Sequence, residues 1–236
     1  MEAFFSILAI IAILMAAGAL LGLLDRGAFR PGWLVLGGGL ILVNDIALTN
    51  AYGLLPDVIG GGWNWQGKVL ALAITLAIAA HPRLGWERSG ITLRQRRQGR
   101  PLTYLVFAVT VALFAALALL LPDEAVDRQT LAFQLTLPGL EEEAFYRGLL
   151  LLAFDRALGV RRILGAEMGW GGLLATLAFG LAHAFAIEGG AVDFSLDAFA
   201  FTAGPSLILL WLRARTGSIL LPVLAHNLAN CLPLMI

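Results

Sequence analysis

Long apolar runs alternate with short charged loops along this chain, and the run lengths suit a lipid bilayer better than a water-facing core. Eight runs read as membrane-crossing helices: residues 3–24, 32–55, 67–81, 102–121, 130–154, 169–187, 197–212 and 218–235. The yardstick is about 20 residues for one crossing. The third and seventh runs are short, and Asn44, Asp45 and Asn50 interrupt the second. No internal repeat and no linker stand out, so the pattern predicts an all-α, polytopic membrane bundle of about eight helices. It forms one domain over residues 1–236, with its chemistry in 130–236. The uncharged run from Ala3 to Leu24 lacks the basic start and short apolar core of a cleavable signal, and it reads as the first span. Gly18 and Gly22 place a GxxxG in that span, a spacing that lets helices pack closely within the molecule.

Composition supports this reading. The chain is 59% hydrophobic and 14% charged, against about 45–50% and about 25% in soluble domains. A net charge of zero gives no reason to expect a nucleic-acid partner. Cys231 is the single cysteine, so no disulfide forms within one chain. The basic residues then orient the spans. If the eight alternate, one set of loops holds Arg26, Arg30, Arg83, Arg88, Arg94, Arg96, Arg97, Arg100, Arg156, Arg161, Arg162, Arg213 and Arg215. The opposite side holds only Lys68 and Arg128. The positive-inside rule places the arginine-rich loops in the cytoplasm and both termini outside an inner or plasma membrane. The run "LRQRRQGR" at 93–100 reads as a solvated determinant of this topology. Trp33, Trp63, Trp65, Trp86, Trp170 and Trp211 all fall near span ends, where interfacial belts put them.

Against this background "LEEEAFYRG" at 140–148 is anomalous. A charge at mid-membrane costs about 2.5–3.5 kcal/mol on insertion scales, so Glu141, Glu142, Glu143 and Arg147 need partners inside the protein. Glu143 and Arg147 stand at i and i+4 in the favourable acid-before-base order and are expected to pair. At 100° per residue Glu142 points elsewhere. Glu141 lies near Pro138 and Gly139, which are expected to disturb the helix and let it reach water. Two more spans carry ionisable groups. "FGLAHAF" holds Phe179 and His183, and "LAHNLAN" puts His226 and Asn230 on one face. A carboxylate with an imidazole can deprotonate a water, and a second imidazole with an amide can stabilise an oxyanion. Glutamate and two histidines are equally good zinc ligands, although the HExxH spacing of zinc proteases is absent. The same groups could instead be an ion-pair cluster joining helices in a non-catalytic immunity or scaffold protein. Asn44 and Asp45 read as partners for another helix or as the lining of a substrate path.

These motifs resemble a known set. "EEAFYRG", "FGLAH" and "HNLAN" are similar, in order and in span placement, to the EExxxR, FxxxH and HxxxN motifs of the CPBP family (CAAX and bacteriocin-processing intramembrane proteases, also called Abi). The resemblance covers Glu142 to Asn230. It implies a glutamate-dependent intramembrane endopeptidase needing no metal or other cofactor, acting on a peptide or protein substrate at the membrane. It implies Glu142 with His183 activating water, His226 and Asn230 as oxyanion hole, and Glu143 with Arg147 as supporting ion pair. Glu141 precedes the motif and receives no role from it.

Overall fold

A computed structural model describes residues 1–97, 100–120 and 126–235. Residues 98 and 99 of the arginine-rich run, and residue 121 at the end of the fourth predicted span, lie outside the described residues. The chain forms α1 (Glu2–Leu24), α2 (Pro31–Thr49), α3 (Trp65–Ala79), a short α4 (Trp86–Ser89) and α5 (Arg100–Leu120). The motif-bearing part follows as α6 (Arg128–Gln134), α7 (Leu137–Glu142), a π-helical segment (Glu143–Leu150), α8 (Leu151–Leu158), α9 (Trp170–Ala184), α10 (Leu196–Thr216) and α11 (Leu220–Met235). Two antiparallel hairpins interrupt the helices. Strand β1 (Arg161–Ile163) pairs with β2 (Ala166–Met168), and β3 (Phe185–Glu188) pairs with β4 (Ala191–Phe194). Gly189 and Gly190 both take positive φ, +58° and +77°, as a two-residue hairpin turn requires.

All eight expected segments are present, with differences that have physical causes. The fifth is not one helix but four consecutive pieces. The second ends at Thr49 because Asn50 and the glycine-rich loop beyond it cannot extend it. The sixth stops at Ala184, where β3 begins. Four helices, α1, α2, α5 and α10, are long and apolar enough to cross a membrane, while α3, α9 and α11 are apolar but shorter. Helix α5 is inside out compared with a soluble helix. It buries Thr103, Thr110 and Ala118 and exposes Leu102, Leu105, Val109, Leu113, Leu117 and Leu119, the surface that lipid rather than water would cover.

The main core joins α1, α2, α8 and α9 around Leu14, Leu34, Phe154 and Leu174. Gly18 packs against Leu34 and Leu174, and Gly22 against Phe29, so the GxxxG spacing serves packing within the molecule. The arginine-rich loops gather at one end of the bundle. There Arg96 pairs with Glu167 at 2.8 Å, Arg161 with Asp25 at 3.3 Å, and Arg156 donates to the Arg83 carbonyl at 3.3 Å. At the opposite end Gln129 donates to the Gly60 carbonyl at 2.6 Å and Trp63 to Thr130 Oγ1 at 2.9 Å. Asp127 there caps α6, and the Thr130 N–H that it accepts holds its carboxyl below the usual carboxylate range. Arg213 departs from its expected place in a loop. It is buried on α10, donating to the Arg147 carbonyl at 3.0 Å.

Candidate active site

The site begins where the fifth segment breaks. Helix α6 ends before Leu135 and Thr136, and α7 restarts with Pro138 in its first turn, where a missing N–H needs no partner. Asn227 of α11 closes the break. Its Oδ1 accepts the Gly139 N–H at 2.8 Å and its Nδ2 donates to the Thr136 carbonyl at 3.2 Å. A side chain at position 139 would run into Asn227. In "HNLAN" the i, i+4 spacing from His226 marks Asn230, whereas nothing local marks Asn227. Asn227→Ala strands a buried N–H, a loss of about 1–3 kcal/mol. We expect a lower melting temperature in detergent, and an unchanged one would show that the break does not depend on this amide.

Glu143 opens the π-helical segment, whose wider turn is typical of functional insertions in helices. The 100° spacing assumed from sequence therefore stops at Glu142. The ion pair still forms: Arg147 Nη1 lies 2.9 Å from Glu143 Oε1, with both side chains buried. Arg147 Nη2 donates to Ser206 Oγ at 2.6 Å, and its guanidinium stacks 4.3 Å over the Phe179 ring. Glu143 Oε1 also contacts His226 Nδ1 at 2.8 Å. A carboxylate only accepts, so Nδ1 carries the hydrogen and Nε2 is left facing Glu142 at 3.6 Å.

His183 is fixed by the same logic. It closes the last turn of α9, and its Nδ1 donates to the Phe179 carbonyl at 2.8 Å, one turn back. Its Nε2 then faces Glu142 Oε2 at 4.0 Å. The phenylalanine of "FGLAH" thus anchors His183 through its carbonyl and Arg147 through its ring. His183 is the exposed member of the site, at 37% of its side chain, against 13% for Glu142.

Glu142 Oε2 is buried and accepts no hydrogen bond among the described residues. Two imidazole nitrogens point at it from distances that a bridging water spans. Its other oxygen is taken by a residue that lies outside all three sequence motifs. Lys68 Nζ of α3 lies 2.6 Å from Glu142 Oε1 and 2.7 Å from Glu141 Oε2. Two expectations are corrected here. Glu141 does not reach water but is fully buried, with Asn44 of α2 beside it. Lys68 is not a loop charge but an internal counter-ion. A signal was available, since Lys68 is the one lysine among sixteen basic residues.

Asn230, the remaining expected residue, donates to Gln134 Oε1 of α6 at 3.1 Å. Cys231 points its sulfur toward the Leu131 carbonyl, away from the histidines. Among the described residues no group of three or more His, Cys, Asp and Glu side chains is arranged to hold a metal ion.

Comparison with known proteins agrees with the motifs. The model of the Rce1-like type II CAAX prenyl endopeptidases matches residues 101–232, more than half of the 236-residue chain. No curated protein and no solved structure matches. The matched stretch contains Glu142, His183, His226 and Asn230, whereas Lys68 and Asn44 precede it. With the apolar helices of the bundle, this makes the molecule an integral membrane protein of peptidase type, and the chain belongs to the Rce1-like type II CAAX prenyl endopeptidase family.

Proposed function

We propose that this protein is a glutamic-type intramembrane endopeptidase cleaving a peptide or protein tail at the membrane. The observation that carries the reading is the convergence of His183 Nε2 and His226 Nε2 on the unpaired Glu142 Oε2. A water between Glu142 and His183 gives its proton to Glu142 as its oxygen attacks the scissile carbonyl. The C–N bond breaks, and the proton passes from Glu142 to the leaving amine, so Glu142 ends as it began.

The developing oxyanion needs donors. Three carboxylates (Glu141, Glu142, Glu143) against two cations (Lys68, Arg147) leave one negative charge, which a proton on an imidazole balances. Glu143 against His226 Nδ1 supports that proton on His226, making its Nε2 a donor. The Asn230 amide keeps a second N–H beyond the one given to Gln134, and this is the other proposed donor. The arginine-poor end of the bundle, nearer the site, is proposed to face outward.

The test is cleavage by purified protein of a quenched fluorescent peptide ending in a farnesylated CAAX sequence, alongside its unprenylated counterpart. His183→Ala is expected to lose on the order of 100-fold or more in rate, and wild-type turnover by that variant would sink the assignment. A scaffold protein would cleave neither peptide. We expect the rate to survive EDTA and 1,10-phenanthroline, because the proton proposed on His226 takes its Nε2 from any metal and the Lys68 ammonium, 2.6 Å from Glu142, repels a dication beside it. Loss of activity restored by added zinc would overturn the metal-free mechanism.

A further inference from the structure

The polar cluster contains one strong element that the family match does not reach. Lys68 lies in α3, outside residues 101–232. Its side chain is 14% exposed, and its ammonium touches two carboxylates at once. Its position also runs against local preference. It stands in the first turn of α3, after the Asn64 cap, where the helix dipole is positive and disfavours a cation. Every other basic residue in the chain is arginine, a flat fork suited to two-point contacts. Here the chain uses the compact ammonium, which can sit between two carboxylates as a point charge.

We propose that Lys68 is a positioning residue for catalysis. It clamps Glu142 Oε1 against the fully buried Glu141, so that Oε2 alone faces the two histidines. This rests on Glu142 being the base. It gives Glu141 a task, as the fixed second anchor that keeps the ammonium from following Glu142 as that carboxylate takes up its proton. The charged and titratable groups around Glu142 are Lys68 from α3, then Glu141, Tyr146 and the Glu143–Arg147 pair from its own chain segment, with His183 from α9 and His226 from α11. Asp45 of α2 lies near Tyr146.

The experiment measures kcat, KM and the pH–rate profile on the farnesylated CAAX peptide for wild type, Lys68→Met, Lys68→Arg and Glu141→Gln, with Glu142→Ala as reference. Lys68→Met is expected to lower kcat on the order of 100-fold with KM little changed, and Lys68→Arg, which keeps the charge but not the compact shape, to recover only part of the loss. The sign of the pH effect separates clamping from damage. Without the ammonium the carboxylate ionises only at higher pH, so the acid limb of the Lys68→Met profile moves up by about 1 unit or more. Without the anionic neighbour it ionises more readily, so the limb of Glu141→Gln moves down. Misfolding cannot shift the two profiles in opposite directions. Should Lys68→Met fail to fold, Lys68→Arg and Glu141→Gln still decide. An acid limb unmoved in Glu141→Gln overturns the proposal, as does wild-type kcat in Lys68→Met. If Glu142→Ala cleaves like wild type, the reading of Glu142 falls first. If Glu142→Ala is dead while Lys68→Met runs at the wild-type rate, only the role of Lys68 falls.

Discussion

Glu142→Gln is expected to abolish cleavage of the CAAX peptide while leaving the protein at least as heat-stable as wild type. The amide keeps the size of the carboxylate and can still accept from Lys68 Nζ, 2.6 Å away in the native site, but it cannot take a proton from water. General-base catalysis contributes about 10²–10⁴-fold, so kcat should fall by that factor or more. The stability half follows from charge. With His226 protonated as proposed above, Glu141, Glu142 and Glu143 and their three cationic partners are six charges crowded into a site with little water, each taken out of water at a cost. Without Glu142 the proton on His226 has no anion left to balance, and its loss leaves two carboxylates against two cations, so the site buries two fewer charges. Catalytic groups are commonly held at a cost in stability, and here the cost has a location. Thermal unfolding in detergent, followed beside the turnover assay, checks both parts. A variant both inactive and markedly less stable would mean that Glu142 is structural glue.

The fold was largely legible from hydropathy, because each run's length and apolar content decide whether it can cross a bilayer without regard to its neighbours. The site was half legible. Glu143 with Arg147, and His183 four residues after Phe179, are local spacings, and the structure keeps both: the ion pair at 2.9 Å and the Nδ1–carbonyl bond at 2.8 Å. What stayed hidden depends on distant parts of the chain. Lys68 meets Glu141 across 73 positions and Asn227 meets Gly139 across 88, and no periodicity encodes such meetings. The π-helical segment was hidden for a related reason: the partners of its charged residues, Ser206 on α10 for Arg147 and His226 on α11 for Glu143, lie far away in the sequence. The hairpin at 185–194 did leave a trace, the Gly189-Gly190 pair, inside a stretch that hydropathy had partly absorbed into the sixth span.

Arg147→Met is the substitution expected to damage folding most. The guanidinium is buried and meets Glu143 at 2.9 Å, Ser206 at 2.6 Å and the face of Phe179 at 4.3 Å. Removing it leaves Glu143 with His226 alone, and breaking a buried pair from one side costs about 3–5 kcal/mol. For a chain of this length that corresponds to a melting temperature lower by roughly 10 °C. The asymmetry of buried pairs supplies the control. Arg147→Met with Glu143→Gln removes both charges, so most of the lost stability should return, since the orphaned anion, more than the missing contact, is what destabilises the fold. Activity should not return with it. Glu143 also holds His226 Nδ1 at 2.8 Å, and a neutral amide there no longer supports an imidazolium. The double variant is therefore expected to fold nearly like wild type and cleave on the order of 100-fold more slowly. A double variant as unstable as Arg147→Met alone would place the energy in the contacts to Ser206 and Phe179 instead of the ion pair.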